Sequence, residues 1–494
     1  MDAARPISVW TYLLFCVLLA AGVAATTINR FHSADSLLFQ LESRHHWMPF
    51  YWEQDRIGML WPLVTKPIEH PLHNLLVQTG LTIFCGLAFP FVFLRILNPA
   101  ASTLPASLAT AWIVVAAPDA IVENWFVVCQ YPSALFLGGF GLLLLRSAAE
   151  ESLPWWRIAI GIAMLVLAHW VYVAVVFVVF PLAVVQRWCQ RGTFQLNRIA
   201  CYAVVGAFAV GFALMQWVRG RYPGIDVTPT TINSFATIPG HFFEFLRQLA
   251  NQSDGALWKS GTVIGLISVL GIGVTLRRRI STTMWRTITG LIVVALGELI
   301  VASTLTWPCE MGHSPRYALA FVAGILLAKG LIAVSVVSVR WGRWLELLSM
   351  GMLAGAFILQ FGIPSVSAVR ADVDRRFGQH TESLLTSGAD AVSGEYWKMW
   401  PVVYHLELVR YERGLPPMNN VVGLRTSAYW RSWKTAGPDG FLVAVPRPLP
   451  HEIERIGEER GLAPLVPIRE HGQLMIFRTR FLFAPFPGRP TDLP

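Results

Sequence analysis

Charged residues are scarce in this chain: Asp, Glu, Lys and Arg together make up only 14% of its 494 residues. Soluble globular domains have about 25%, so the composition excludes an ordinary water-soluble fold. Hydrophobic residues instead make up 54%, and the mean hydropathy is +0.51. This is more apolar surface than a soluble core can bury, so lipid must be part of the solvent around the chain.

Cysteine and the common cofactor motifs are also scarce or missing. The chain has six cysteines with no Cys-x-x-Cys spacing, so the sequence indicates neither a disulfide framework nor zinc. It contains no GxxxxGK[ST] motif and no GxGxxG after a strand, which excludes the usual nucleotide-binding folds. No internal repeat or heptad array is present, which excludes solenoids and coiled coils.

The distribution of charged residues along the chain indicates its membrane topology. The net charge is +9, and much of the basic excess lies in short loops between apolar blocks, as expected of cytoplasmic loops. We therefore expect a lipid bilayer and no nucleic acid as a partner. About eleven blocks have the length and apolarity of spanning helices, the first being an uncleaved span. They are 8–28, 75–97, 104–118, 125–146, 157–169, 170–187, 199–218, 260–276, 284–305, 316–339 and 343–363.

The segment 157–187 is open to two interpretations. It is long enough for one tilted span or for two short helices that meet near His169. A hairpin places the loop after Arg187 on the same side as the triple-arginine loop that begins at Arg277, whereas a single span places these loops on opposite sides. The positive-inside rule favours the hairpin.

The resulting fold class is an all-α polytopic membrane domain followed by a small C-terminal extracytoplasmic α/β domain. With the N-terminus inside, the membrane domain covers 1–363 and exports a long first loop, 29–74. Residues 364–494 form the extracytoplasmic domain, which is large enough to fold alone. Its pattern predicts a helix at 396–412, a strand at 441–445, a charged helix at 450–460 and a strand at 474–482.

The first exported loop carries the best candidates for chemistry. Asp35 follows the first span by a few residues and stands beside apolar side chains, where a partly desolvated carboxylate can act as a general base. The alternative is that Ser33 or Asp35 caps an amphipathic helix resting on the headgroups. Further along, Glu53 and Asp55 are candidates for binding an acceptor or a metal. A solvated interfacial helix explains them as well.

The same loop ends in KPIEHPLHNLL (66–76), which leads into the second span. An acidic residue after the first span followed by such a segment resembles GT-C membrane glycosyltransferases, in the protein O-mannosyltransferase and aminoarabinose transferase branch. The resemblance implies a GT-C-like fold and a catalytic aspartate in this loop, here Asp35. The chain departs from that pattern in two places: it has His70-Pro71-Leu72 where those relatives carry two prolines, and Asp35 is not part of an Asp-Glu pair.

A second segment, TWPCEMGHSPRYALAF (306–321), lies at the start of a late span. Relatives of this kind carry an Arg-Tyr there, near the lipid-phosphate donor. The resemblance implies that Arg316 and His313, with Lys66, bind the donor phosphate, for which a guanidinium is well suited. The alternative is a snorkelling arginine with an interfacial tyrosine. Glu123, in a short exported turn, adds a carboxylate that can orient the acceptor or share a divalent cation.

These features predict an inverting hexosyl- or pentosyltransferase in a bacterial inner membrane. It would use a polyprenyl-phosphate sugar and an extracytoplasmic glycan, lipid or protein as acceptor. The sequence identifies no cofactor and leaves a divalent cation open, so the metal site is unknown. The main alternative is a transporter or flippase for lipid-linked or amphiphilic substrates. An O-acyltransferase would need a buried catalytic histidine, for which only His169 qualifies.

Overall fold

In the computed structural model, the chain divides into two compact units. The membrane unit comprises 1–27, 79–217 and 229–364, and the polar unit comprises 28–78, 218–228 and 365–494. The residues that the structure describes are 7–32, 34–44, 47, 58–127, 130–148, 153–189, 194–195, 198–221, 231–251, 280–310, 312–336, 342–389, 391–394, 396–416, 421–423, 441–446 and 466–479.

The membrane unit is helical. Six of its described helices are long and apolar enough to cross a membrane, or seven if the bent pair Asp119–Phe126 and Gln130–Leu144 forms one span, and three more apolar helices are shorter. The helices are α1 (Val9–Phe31), α4 (Pro71–Leu97), α5 (Leu104–Ala116), α6 (Asp119–Phe126), α7 (Gln130–Leu144), α8 (Trp155–Val171), α9 (Val176–Cys189), α10 (Arg198–Arg221), α11 (Ile238–Asn251), α12 (Thr282–Thr304), α13 (Thr306–Glu310), α14 (Leu319–Val336) and α15 (Gly342–Phe361). Ten predicted blocks coincide with helices, and block 260–276 lies outside the described residues.

The ambiguous segment 157–187 forms two helices. Helix α8 ends at Val171, Tyr172 is extended, and α9 begins at Val176. The short strands β1 (Ser147–Ala148), before α8, and β2 (Phe194–Gln195), after α9, pair antiparallel. One straight span over both helices would separate these strands by about 50 Å at 1.5 Å per residue. Their pairing therefore requires α8 and α9 to form the hairpin that the charges favour.

Small residues let the membrane helices approach closely. A Cβ atom built on Gly141 of α7 would lie 2.9 Å from the carbonyl oxygen of Gly161 on α8. Near the middle of α4, a Cβ atom on Gly86 would lie 2.3 Å from the carbonyl oxygen of Trp125. The indole N–H of Trp125 donates a 2.9 Å hydrogen bond to the carbonyl of Gly86. In lipid, where helices gain little from hydrophobic burial, such contacts supply the packing.

A buried carboxylate joins three parts of the membrane unit. Glu346, on α15, is 2% exposed and accepts hydrogen bonds from the backbone N–H groups of Ile7 at 2.9 Å and Thr103 at 3.0 Å. These groups precede α1 and α5, where helix N-termini leave backbone donors without intrahelical partners. Glu346 thus fixes where two helices begin, a role that hydropathy does not reveal.

The polar unit combines segments that are distant in sequence. Its helices are α2 (Ala34–Arg44), α3 (Leu60–Thr65), α16 (Val366–Phe377), α17 (Thr381–Thr386) and α18 (Tyr396–Glu412). A five-stranded mixed sheet has the order β4 (Val421–Gly423), β3 (Ala391–Gly394), β5 (Phe441–Pro446), β7 (Leu474–Thr479) and β6 (Val466–His471). The predicted helix 396–412 and strand 441–445 are confirmed, and the strand predicted at 474–482 is present over 474–479, beyond which it lies outside the described residues. The charged helix predicted at 450–460 also lies outside the described residues.

A chain of polar side chains, buried at His405 and Thr381 and exposed at Asp374, connects α16, α17 and α18. His405, on α18, lies 2.6 Å through Nε2 from Asp374 Oδ1 and 2.6 Å through Nδ1 from Thr381 Oγ1. Arg370 pairs with both Asp374 and Glu412. Because an ionised carboxylate only accepts, His405 donates through Nε2 and accepts from Thr381 when neutral. The chain holds three helices together with Thr381 only 1% exposed, so a structural role explains it.

This polar chain should make the polar unit less stable in acid. Burial lowers the pKa of His405, although Asp374 opposes the shift. The folded state therefore disfavours protonated His405, and stability falls as pH drops below the ordinary histidine pKa of about 6.5, by at most about 1.4 kcal/mol per pH unit. Burial raises the pKa of Asp374, but its hydrogen bonds with His405 and Arg370 outweigh this and lower it overall. Its contribution is lost only near and below pH 4.

Hydrogen exchange of α18, corrected for intrinsic rates, measures this effect. Protection should fall between pH 7.5 and pH 5.5 in the wild type and change much less in His405→Gln, which cannot titrate. An equal loss of protection in both proteins would show that another group causes the acid sensitivity.

Candidate functional site

Asp35 occupies a distinctive position on α2. Nine of the eleven residues of this helix are buried, and the two that stay half-buried are Asp35 in the first turn and Arg44 in the last. Helix α2 packs against α3 and α18 within the polar unit. The alternative of an amphipathic helix resting on headgroups is therefore wrong for 34–44, because this helix has no extended solvated face. Asp35 is the carboxylate that α2 leaves partly accessible, since Glu42 is fully buried.

A buried amide network fixes α2 relative to the start of α4. The Asn74 side-chain N–H groups donate to Ser43 Oγ at 2.9 Å and to the carbonyl oxygens of Thr65 and Ile68 at 2.9 and 3.1 Å. Gln78 donates to Asn74 Oδ1 at 2.8 Å and to Thr65 Oγ1 at 2.9 Å. Asn74 itself is fully buried. The network holds α2, α3 and α4 in one arrangement and so determines where Asp35 lies.

Asn74→Ala should loosen this part of the polar unit. The substitution removes the side-chain donor to the buried carbonyls of Thr65 and Ile68 and takes one acceptor from the Gln78 amide, which we expect to cost about 2–4 kcal/mol of local stability. Hydrogen exchange of 34–44 and 60–78 measures the loss. His73→Ala, at the exposed neighbouring position, should change the same free energy by less than about 0.5 kcal/mol. Equal effects of the two substitutions would contradict the role assigned to the network.

The other candidates of the first loop have different surroundings. Lys66 is exposed at the end of α3, while Glu53 and Asp55 lie outside the described residues. The rings of His70 and His73 stack at 4.2 Å, and burial, with His73 contributing, lowers the pKa of His70. Lys66 and Asp35 belong to the same unit, and the role of Lys66 at a phosphate stays a prediction.

Arg316 lies in a cleft of the membrane unit. The cleft is formed where α7 begins, where the chain breaks between α8 and α9, where α12 ends and where α14 begins. Among the described residues that line it, Arg316 is the one with a positive charge. Its guanidinium carbon lies 4.8 Å from the centre of the Tyr317 ring. The lining also includes Tyr131, Leu135, Tyr172, Ala174, Val175, Phe177, Val178, Glu298, Val301, Ala302, Leu305, Pro308 and Leu319.

Glu298 is the acidic residue of this cleft, and its carboxylate has a structural partner. Its Oε2 atom accepts a 2.6 Å hydrogen bond from the backbone N–H of Phe321, in the first turn of α14. First-turn N–H groups lack intrahelical partners, so Glu298 caps α14 from the neighbouring helix. This capping contact accounts for its place beside the cleft.

His313 is close to Arg316 in sequence, but its side chain contacts a different set of residues. Its Nε2 atom lies 3.0 Å from Nδ1 of His241, in the first turn of α11, and the two rings stack. Cys309 is half-buried nearby, and one ligand atom from each of the three residues lies within 4.8 Å of the others. Burial lowers the pKa of His313, and His241 lowers it further. Zinc was not expected from sequence because these three residues share no standard spacing.

The remaining predicted positions are less informative. Glu123 is half-buried on α6, and Asp119, in the first turn of the same helix, is exposed. Within the described residues, neither carboxylate belongs to a group of three potential metal ligands.

These observations define a multi-pass integral membrane protein with an arginine-bearing cleft where several of its membrane helices begin or end. No family model matches the sequence, and no curated protein matches it. Among solved structures, the crystal structure of ArnT from Cupriavidus metallidurans bound to undecaprenyl phosphate is similar to this chain. It has a TM-score of 0.49 and 12% sequence identity, over 96% of this chain and 98% of that chain. At this identity the function must be argued from the residues of this chain.

Proposed function

We propose that the protein is a membrane glycosyltransferase that takes its sugar from a polyprenyl-phosphate donor in a bacterial inner membrane. The observation that carries the proposal is the position of Arg316. A guanidinium in an otherwise mostly apolar, tyrosine-lined cleft between membrane helices suits a ligand with a phosphate head and a hydrocarbon tail. The positive-inside rule assigns this cleft to the extracytoplasmic side of the membrane.

The chemistry assigns one role to each candidate. The acceptor hydroxyl oxygen attacks the anomeric carbon while Asp35 takes its proton, and the bond between that carbon and the phosphate oxygen breaks. The negative charge that develops on the leaving phosphate is stabilised by Arg316. Attack opposite the leaving group inverts the anomeric configuration. Asp35 and Arg316 belong to different units, so each role rests on the surroundings of that residue alone.

Two features favour this function over a transporter. The polar residues of the cleft lie at helix ends and beside the break between α8 and α9. A transporter instead has its site near the bilayer midplane, between discontinuous helices in matching halves of the chain. The partly accessible Asp35 on an otherwise buried helix also suits proton transfer from an aqueous acceptor.

Label transfer tests the proposal. The purified full chain, reconstituted in lipid with host membranes as acceptor source, is given a panel of radiolabelled polyprenyl-phosphate pentoses and hexoses. We expect one donor class to lose its label to an acceptor. The absence of transfer from every donor, by protein with native hydrogen-exchange protection, would contradict the proposal and favour the transporter.

A further inference from the structure

The three residues His241, Cys309 and His313 form a group that the proposed reaction does not use. They come from two segments of the membrane unit: the first turn of α11, which carries His241, and the end of α13 with the turn that follows it, which carry Cys309 and His313. We propose that they bind one Zn²⁺ ion. Two imidazole nitrogens and one thiolate are donors that Zn²⁺ prefers, whereas Mg²⁺, Ca²⁺ and Mn²⁺ prefer oxygen.

The distances require only small movements. With Zn–N bonds of about 2.05 Å and tetrahedral angles, two histidine nitrogens on one ion are about 3.3 Å apart. The His241 Nδ1 and His313 Nε2 atoms are 3.0 Å apart. A nitrogen and a sulfur on the same ion are about 3.6 Å apart, and here all three ligand atoms lie within 4.8 Å. The cysteine sulfur therefore needs to approach by at most about 1.2 Å.

The turn after α13 presents two of the ligands together. His313 N–H donates to the carbonyl of Pro308 at 3.1 Å, and Gly312 N–H donates to that of Cys309 at 3.1 Å. This pair of bonds is a Schellman motif, in which Gly312 adopts the left-handed conformation with φ of +69°. His313 continues it with φ of +56°. The helix-ending turn thus directs Cys309 and His313 to the same place.

Neighbouring side chains hold the ligands in position. The Asn233 amide donates to Cys309 Sγ at 3.2 Å and to the carbonyl of Ser303 at 3.0 Å, so Asn233 holds the sulfur in place. The His313 ring meets that of buried Phe245 edge-on at 4.9 Å. Glu244, the nearest carboxylate on α11, is paired with Arg247. Among the described residues no fourth ligand joins these three, so the fourth position of the ion would hold water or a ligand oxygen.

Zn²⁺ binding at these three residues needs no other reactant. The Cys309 thiol releases one proton to solvent, and each histidine keeps its proton on the ring nitrogen that faces away from the ion. The ion would join α11 to the turn that leads to Arg316. The proposal does not depend on the glycosyltransferase function, because binding can be measured without turnover.

Cobalt substitution tests the site. The tag-free full chain in nanodiscs is stripped with a chelator and titrated with Co²⁺, which reports a cysteine ligand through its thiolate charge-transfer band. We expect one Co²⁺ per chain, the band in the near ultraviolet and its loss when Zn²⁺ is added. Cys309→Ser should remove the band, and His313→Asn should weaken Zn²⁺ binding at least about tenfold. Asparagine tolerates a positive φ, so this variant preserves the turn.

Cys201→Ser, at a half-buried cysteine elsewhere in the membrane unit, is the matched control and should leave both the band and the affinity unchanged. Binding of Co²⁺ without the band, or Zn²⁺ affinity unchanged in both ligand variants, would overturn the proposal. Absence of stoichiometric binding by the wild type would overturn it equally.

Discussion

Asp35→Asn should reduce sugar transfer by about 10²–10⁴-fold, the contribution typical of a general base. Asparagine keeps the size of the side chain and its place in the first turn of α2 but cannot accept the proton of an acceptor hydroxyl. The loss should therefore appear in turnover, with little change in the KM for the donor. Transfer from the matching donor, measured at saturating acceptor over a range of donor concentrations, separates these two parameters.

A matched control distinguishes catalysis from helix stabilisation. Asp119 also lies in the first turn of a helix, where a carboxylate interacts favourably with the helix dipole. Asp119→Asn loses that interaction, worth about 0.3–1 kcal/mol, and should retain nearly full transfer. If both substitutions reduce transfer alike, Asp35 contributes through the stability of α2 and is not the base.

Arg316→Gln should reduce kcat/KM for the sugar donor by about 10²–10³-fold. The substitution removes a hydrogen-bond donor that is directed at the negative charge developing on the leaving phosphate. Arg316→Lys keeps the charge but loses the planar fork that contacts two phosphate oxygens, so it should recover only part of the activity. Steady-state transfer assays give the two values. The loss should include a higher KM, because the phosphate is present in the bound donor as well as in the transition state.

Arg286→Gln provides the control for this prediction. Arg286 is half-buried in the first turns of α12, at the opposite end of that helix from Glu298. It bears the same charge in the same unit, so its removal tests the general effect of losing an arginine. Similar losses in both variants would show that the membrane unit responds to total charge, and the phosphate role of Arg316 would be contradicted.

The helices were the part of the structure most accessible from sequence. A spanning helix must satisfy its backbone internally with about 20 apolar residues in succession, so hydropathy marks it locally. Block 343–363 corresponds to α15 (Gly342–Phe361), and the helix predicted at 396–412 has the bounds of α18. Hydropathy alone left 157–187 open. The charges of its flanking loops favoured the hairpin that the β1–β2 pairing requires.

Long-range pairing was not accessible from sequence. Asn74 and Ser43 are 31 residues apart, and His241 and His313 are 72 apart. Neither periodicity nor a motif connects such positions, since the contacts depend on how helices pack. The burial of α2 was missed for the same reason: its covering helix, α18, lies more than 350 residues further along the chain. Asp35 was chosen by its position after the first span as well as by resemblance, and Arg316 by resemblance; both stay predictions.

The fate of the donor lipid tests the central claim most directly. The full chain is reconstituted in sealed vesicles that contain the polyprenyl-phosphate sugar, an acceptor is added, and the lipid products are quantified by mass spectrometry. A glycosyltransferase releases one polyprenyl phosphate for each sugar transferred, and release should stop in Asp35→Asn. Donor lipid that moves between leaflets with its sugar still attached, and no release of lipid phosphate, would contradict the account and identify a transporter.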